Sequence, residues 1–158
     1  MRIFDCTTFF NEKMIMDLRF NTLNPYVTKF IVVESIYSHS GQKKKLNFNI
    51  NDYPDFKNKI EYIIIKEEPA DIIKGDELIK NPHNKRFNSL KRIEQSYDYM
   101  IKGIDEAKDD DLILLSDNDE IPNLSQSSIE DLKKTDYVIF KQLFCYYKFN
   151  LFYDRIPW

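Results

Sequence analysis

Three short runs, Phe30-Ile31-Val32-Val33, Ile60-Glu61-Tyr62-Ile63-Ile64-Ile65 and Leu112-Ile113-Leu114-Leu115, are apolar at nearly every position instead of every second one. A strand with one wet face alternates, whereas a strand covered on both faces reads as a continuous apolar run, which is the habit of parallel sheets flanked by helices. Each run is too short to be a buried helix, and β-branched residues are common in the first two. The runs therefore predict an α/β fold with a mostly parallel sheet.

The segments between the runs fit that plan. Ile3 to Phe10 is a further strand candidate at the N-terminus. Asn11 stands where it can cap a following helix, on which Met14, Ile15 and Leu18 would share one face. The stretch from Glu67 to Lys85 is polar, holds Pro69, Gly75 and Pro82, and reads as a long loop with at most one helical turn. Leu90, Ile93, Tyr97, Met100 and Ile104 then recur at spacings of three and four, the mark of a helix with one buried stripe. Ser125 or Ser127 can cap a short helix carrying Ile129 and Leu132, and the aromatic-rich segment from Tyr137 to Trp158 predicts one or two further strands.

Composition excludes several classes. The chain has 158 residues and reads as one domain, 42% hydrophobic and with only 3 glycines, so Gly-rich phosphate loops are scarce. Its 23 basic and 26 acidic residues nearly balance, and Lys43-Lys44-Lys45 is too short a basic run to indicate nucleic-acid binding. No apolar stretch is long enough to span a bilayer, and the N-terminus enters a strand-like run at once with no room for a signal peptide. A cytoplasmic location is the expectation. The 2 cysteines, Cys6 and Cys145, lie in apolar surroundings and read as buried thiols.

The candidate chemistry lies in Asp117-Asn118-Asp119-Glu120-Ile121-Pro122, directly after the last apolar run. In an extended segment the carboxylates of Asp117 and Asp119 would point the same way. Ligands of open α/β sheets bind beyond the carboxyl ends of the strands. Two adjacent carboxylates beside a core strand repel one another unless a cation joins them. Mg²⁺ or Mn²⁺ suits such a place, since either takes one or two protein carboxylates and completes its shell with water and phosphate oxygens. A solvated acidic loop is the competing reading. The EF-hand pattern fails for want of its glycine and terminal glutamate. A phosphotransfer enzyme with Asp117 as nucleophile would carry its Asp-x-Asp on the first strand instead. The Asp109-Asp110-Asp111 triplet reads as a solvated turn.

Other positions have two readings each. Glu34 ends an apolar strand and would emerge at the same sheet edge as Asp117, as an acceptor for a base or ribose or as a plain surface glutamate. Capping accounts for Asn11 and the helix dipole for Glu12. Arg19 pairs with an acidic neighbour or faces solvent, the latter being the default. Arg92, with Lys85 and Arg86 upstream, could contact a diphosphate, against a default of solvated basic side chains. His39 and His83 read as exposed loop residues.

Together these blocks resemble glycosyltransferase family 17, the family of the β-1,4-mannosyl-glycoprotein β-1,4-N-acetylglucosaminyltransferase. Phe4-Asp5-Cys6, Phe9-Phe10-Asn11-Glu12, then Asp17, Arg19, Asn21 and Leu23, resemble its opening motif. Phe30 to Ser35 resembles the next block, and Gly41, Lys44, Leu46 and Phe48 fall at the spacing of a Gly-x-x-Lys-x-Leu-x-Phe element. Asp117 to Pro122 matches its Asp-x-Asp-Glu-Ile-Pro signature.

The resemblance implies a GT-A-like, Rossmann-type α/β fold with a mixed, mostly parallel sheet flanked by helices. It covers the N-terminal half of the family's usual domain, so a sheet incomplete at the C-terminus is expected. It implies metal-dependent inverting transfer of a sugar, with GlcNAc from UDP-GlcNAc as the leading donor, to a glycan or polysaccharide hydroxyl. Asp117 and Asp119 would hold the metal, and Asn11, Glu12, Glu34, Lys44 and Arg92 would contact the donor. The chain departs from the family at Lys13 and Met14, where Leu-Asp is common, and at Lys91 to Gln95, where many members carry an aromatic-rich Gln-Arg-Asn element. No residue is assigned as the general base. The base and acceptor pocket are expected beyond Trp158, and a truncated, non-catalytic nucleotide-sugar-binding module is the alternative reading.

Overall fold

The computed structural model describes residues 1–126, 129–132, 134–143, 145 and 151. The chain clusters into two compact units, Met1–Asp119 and Glu120–Trp158. The first holds the sheet and the candidate site.

Its four strands are β1 (Ile3–Thr8), β2 (Lys29–Ser35), β3 (Ile60–Ile65) and β4 (Leu112–Leu115), in the order β3-β2-β1-β4. All their pairings are parallel, with Asp5 opposite Phe30 and Leu114, and Val33 opposite Ile63. The α/β fold with a parallel sheet flanked by helices is therefore present, and among the described residues these strands form an all-parallel rather than a mixed sheet. Helix α1 (Lys13–Leu23) joins β1 to β2. Helices α2 (Asp76–Lys80) and α3 (Pro82–Lys102) lie between β3 and β4. Because β4 returns to the far side of β1, chain order reverses beside β1. That makes the carboxyl ends of β1 and β4 the switch point at which such sheets bind ligands.

Successive strand residues feed opposite layers. Phe4, Cys6, Ile31, Val33 and Ile65 form one core with Met100 of α3. Phe30 faces the other layer and meets Phe20 of α1 edge-on at 4.8 Å; Phe48, Tyr53 and Phe56 join this aromatic cluster. Gly103 lets the end of α3 settle on the sheet, since a Cβ there would stand 2.6 Å from Ile31 Cγ2.

Several local expectations are corrected. The buried face of α1 is Met16, Arg19, Phe20 and Leu23, while Met14 and Leu18 are exposed. This face keeps helical spacing, but an arginine in it hid the pattern. The N-cap of α1 is Glu12, without a side-chain cap, so Asn11 does not cap. The helix read from Leu90 onward begins at Pro82, with Asn81 accepting from the His83 N–H at 3.0 Å and Pro82 in the first turn. Leu90 is exposed, and Ile104 lies beyond the helix end. Strand β4 is only half covered, with Ile113 and Leu115 exposed.

Asp111 is no solvated turn residue: its carboxylate accepts from Arg2 Nε at 3.0 Å and Nη2 at 2.8 Å. These bonds, with help from the Lys108 N–H, hold its carboxyl well below the usual carboxylate range.

In the second unit Ile129–Leu132 is helical (α4), whereas Ser127 lies outside the described residues. Residues 137–143 carry no strand, and most of 144–158 lies outside the described residues. Cys6 is buried and Cys145 half-buried, and neither is in a disulfide. Among the described residues no helix is long and apolar enough to cross a membrane.

Candidate functional site

A cavity of about 200 Å³ opens at the carboxyl ends of β1, β2 and β4, lined by residues that include Thr8, Ser35, Asp117 and Asp119. Sites that engulf a drug-sized ligand run to ~300–1,000 Å³, so this cavity is too small to enclose one whole. Glu12 and Lys44 also line it, as do Phe10, Tyr37, His39 and Ser96.

The acidic turn is shaped by side chains from β1, α1 and the loop between them. The ladder to β1 ends at Ser116, whose N–H reaches the Cys6 oxygen at 3.4 Å. Thr7 Oγ1 then donates to the Ser116 oxygen at 3.1 Å. Arg19, fully buried, forks onto Asp5 with Nε to Oδ2 at 2.8 Å and Nη2 to Oδ1 at 2.7 Å. The same guanidinium donates to Ser116 Oγ, Asp117 O and Asn118 O at 2.8, 2.8 and 3.2 Å. Asn118 and Asp119 form a turn, not a continuation of the strand. Asp117 and Asp119 thus reach one cavity through this bend, and strand alternation is not the reason.

Glu12 closes the other side. Its Oε2 accepts from the Phe10 and Asn11 N–H groups at 2.9 Å each and from Asn118 Nδ2 at 2.8 Å. Burial opposes ionisation of Glu12, but these hydrogen bonds outweigh it and hold the carboxyl below its ordinary value. Asn11 itself is exposed and contributes its backbone N–H to this arrangement.

Glu34 lies below the cavity, 1% exposed. It accepts from Lys44 Nζ, from the Asn47 and Phe48 N–H groups at 2.8 and 3.0 Å, and from the Tyr62 hydroxyl at 2.7 Å. Burial, and then this carboxylate, push the Tyr62 hydroxyl far above its usual value. Glu34 therefore anchors the 44–48 segment with its own chain's donors, and Lys44 is the member of that network that lines the cavity. Lys44 Nζ also stands 5.2 Å from the centroid of the Phe10 ring.

Arg92 does not itself line the cavity, but its main-chain oxygen accepts from the Ser96 hydroxyl, which does. The Arg92 guanidinium pairs with Glu68 and donates to the His39 oxygen at 3.1 Å, tying the Ser38–Gln42 loop to α3. Gly41 makes room for it: a Cβ there would collide with the guanidinium, and the φ of +87° is unfavourable for any other residue.

Among the described residues no three His, Cys, Asp or Glu side chains stand close enough to form a closed metal cage. Asp117 and Asp119 both line the cavity, and an open Mg²⁺ or Mn²⁺ site, completed by phosphate and water oxygens, would need no more than one or two such carboxylates. With Glu12, three acidic residues line the cavity against a single lysine, Lys44, whose ammonium is paired with Glu34. Such a lining repels an anionic ligand until a cation offsets it.

The structure thus brings Glu12, Lys44, Asp117 and Asp119 to one cavity and leaves Asn11, Glu34 and Arg92 in neighbouring roles. Thr8, Ser35 and Tyr37 escaped the sequence reading. Their signal was a polar side chain at or just past the end of a strand.

No curated protein and no solved structure matches the chain. A comparison with protein families matches Glycosyltransferase family 17 over residues 1–158. The whole chain is matched, by the family that the four sequence blocks resemble. The protein is a member of glycosyltransferase family 17, a transferase that moves a sugar from a donor to a glycan acceptor.

Proposed function

We propose that this cavity is the donor site of a metal-dependent inverting glycosyltransferase with a GT-A-like fold, and that it grips the diphosphate of a nucleotide sugar, with UDP-GlcNAc the leading donor. One observation carries the reading. Asp117 and Asp119 reach a single cavity at the topological switch point, in a lining whose carboxylates outnumber its one cation. A divalent ion held there would offset the diphosphate charge and stabilise it as a leaving group.

The chain's own residues do the rest. Lys44 places a positive charge at the mouth of the site, and Thr8 and Ser35 offer hydroxyls to polar ligand atoms. Phe10 and Tyr37 present aromatic faces suited to a base or sugar ring. Glu12 stays ionised and holds Asn118, fixing the loop between the two candidate metal ligands.

Calorimetric titration of UDP with and without Mn²⁺ tests this. Wild type is expected to bind UDP only with metal, and Asp119→Ala to lose that binding while remaining folded. UDP binding that ignores both metal and Asp119→Ala would overturn the reading. Hydrolysis of UDP-GlcNAc, or its transfer to a glycan, then distinguishes a working transferase from a binding module.

A further inference from the structure

We propose that Arg19 is a positioning residue for the Asp117–Asp119 turn: it dictates the turn's backbone path, and through it the affinity for the divalent cation. The role in metal affinity rests on the donor-site reading above; the role in shaping the turn does not.

The geometry is unusual for a purely structural ion pair. Asp5 takes Nε and one hydrogen of Nη2, which neutralises the charge inside the fold. Nη2 also reaches the Ser116 hydroxyl at the start of the turn. Nη1 serves two consecutive main-chain oxygens, those of Asp117 and Asn118. In an extended strand successive carbonyls point to opposite sides, so a common donor for both requires the chain to bend between them. The bend turns Asp119 back toward the cavity that Asp117 already lines.

Energetics favour a positioning role over a stabilising one. A buried ion pair gains little over an apolar pair of similar volume, because removing both charges from water is costly. What an apolar pair cannot supply is a rigid fork of N–H donors with fixed directions. Lysine cannot supply it either. Arg19 lies on the face of α1 that packs against the sheet, so the turn inherits the rigidity of a helix on which it has no covalent hold.

The test uses Asp5→Leu combined with Arg19→Met, which removes both charges and should fold, with Arg19→Lys as a second variant that keeps the charge opposite Asp5. Two readouts are taken on protein shown to be folded by its cooperative thermal transition. Hydrogen exchange without metal is expected to show faster exchange at residues 116–119, with β1 and β2 still protected. Mn²⁺ affinity in the presence of UDP, followed by electron paramagnetic resonance, is expected to fall about ten- to hundredfold, as when groups that orient metal ligands are removed. Unchanged exchange in the turn of a folded variant, Arg19→Lys included, overturns the proposal. So does wild-type Mn²⁺ affinity in such a variant. If wild type itself binds neither Mn²⁺ nor UDP, the donor-site reading fails, and the exchange data alone still decide whether Arg19 shapes the turn.

Discussion

Arg19 Nη1 donates to the main-chain oxygen of Asp117 at 2.8 Å, joining a helix that packs on one layer of the sheet to the loop beyond its last strand. The other side of the same guanidinium is committed to Asp5, and both side chains are fully buried. Removing one partner is therefore a different experiment from removing both. Arg19→Ala leaves the Asp5 carboxylate buried without its countercharge and is expected to destabilise the fold by about 3–5 kcal/mol. Urea unfolding at neutral pH measures this; a loss below about 1 kcal/mol would mean that the pair is solvated in solution.

The Arg2–Asp111 contact gives the fold an acid-sensitive fastening between the starts of β1 and β4. Asp111 ionises at lower pH in the folded chain than in the unfolded one, chiefly through its hydrogen bond to Arg2. A depressed carboxyl contributes stability that is complete above its unfolded value of about 3.9 and is lost as pH falls through the folded one. Melting temperature should thus fall on acidification below about pH 4. Asp111→Asn should melt lower at neutral pH and show a shallower acid decline. An identical acid limb in the variant would remove Asp111 from the account.

Lys44 has a double task, and its substitution should show both. Lys44→Met leaves Glu34 with the Asn47 and Phe48 N–H groups and the Tyr62 hydroxyl, but without a countercharge. A loss of about 1.5–3 kcal/mol in stability is expected, the usual worth of a hydrogen bond to a charged group. UDP binding should weaken as well, and Lys44→Arg should restore more of the stability than of the binding. Calorimetry alongside denaturation separates the two effects.

Cys6 should be chemically silent in the folded protein. Burial, reinforced by the nearby Asp5 carboxylate, pushes its thiol up to about 12. The thiolate is the reactive form, so iodoacetamide at pH 8 should leave Cys6 unmodified until denaturant is added. Mass spectrometry of native digests after quenching provides the measurement. Rapid native labelling at Cys6 would show that β1 opens readily.

The sheet was legible because burial on both faces leaves an unmistakable run in the chain, as in Phe30 to Val33. Asp117 and Asp119 were legible for a related reason: acidic residues at the mouth of such a run stand out against it. What escaped was contact between distant segments. Arg19 looked like a solvent-facing residue because its partners, Asp5 and the oxygens beyond β4, are joined to it only by folding. Glu34 was placed at the correct sheet edge, but nothing local shows that the 44–48 segment folds back over it. The start of α3 was missed because Pro82 to Arg86 is polar and exposed, so the helix has no buried stripe there to read. Amphipathic pattern reports burial, and a solvated first turn has none.

The strand order has a kinetic corollary. Strand β4 pairs with β1, with Leu112 opposite Ile3, so the whole of α1, β2, β3, α2 and α3 intervenes between two neighbours in space. Loop closure across such a span is slow to be rewarded by contacts. During synthesis β1, α1 and β2 can associate while β4 is still unmade, but the cavity has no second wall until residues 112–119 arrive. On the donor-site reading proposed above, nucleotide affinity would switch on only then, and binding by a refolding chain would time the docking of β4.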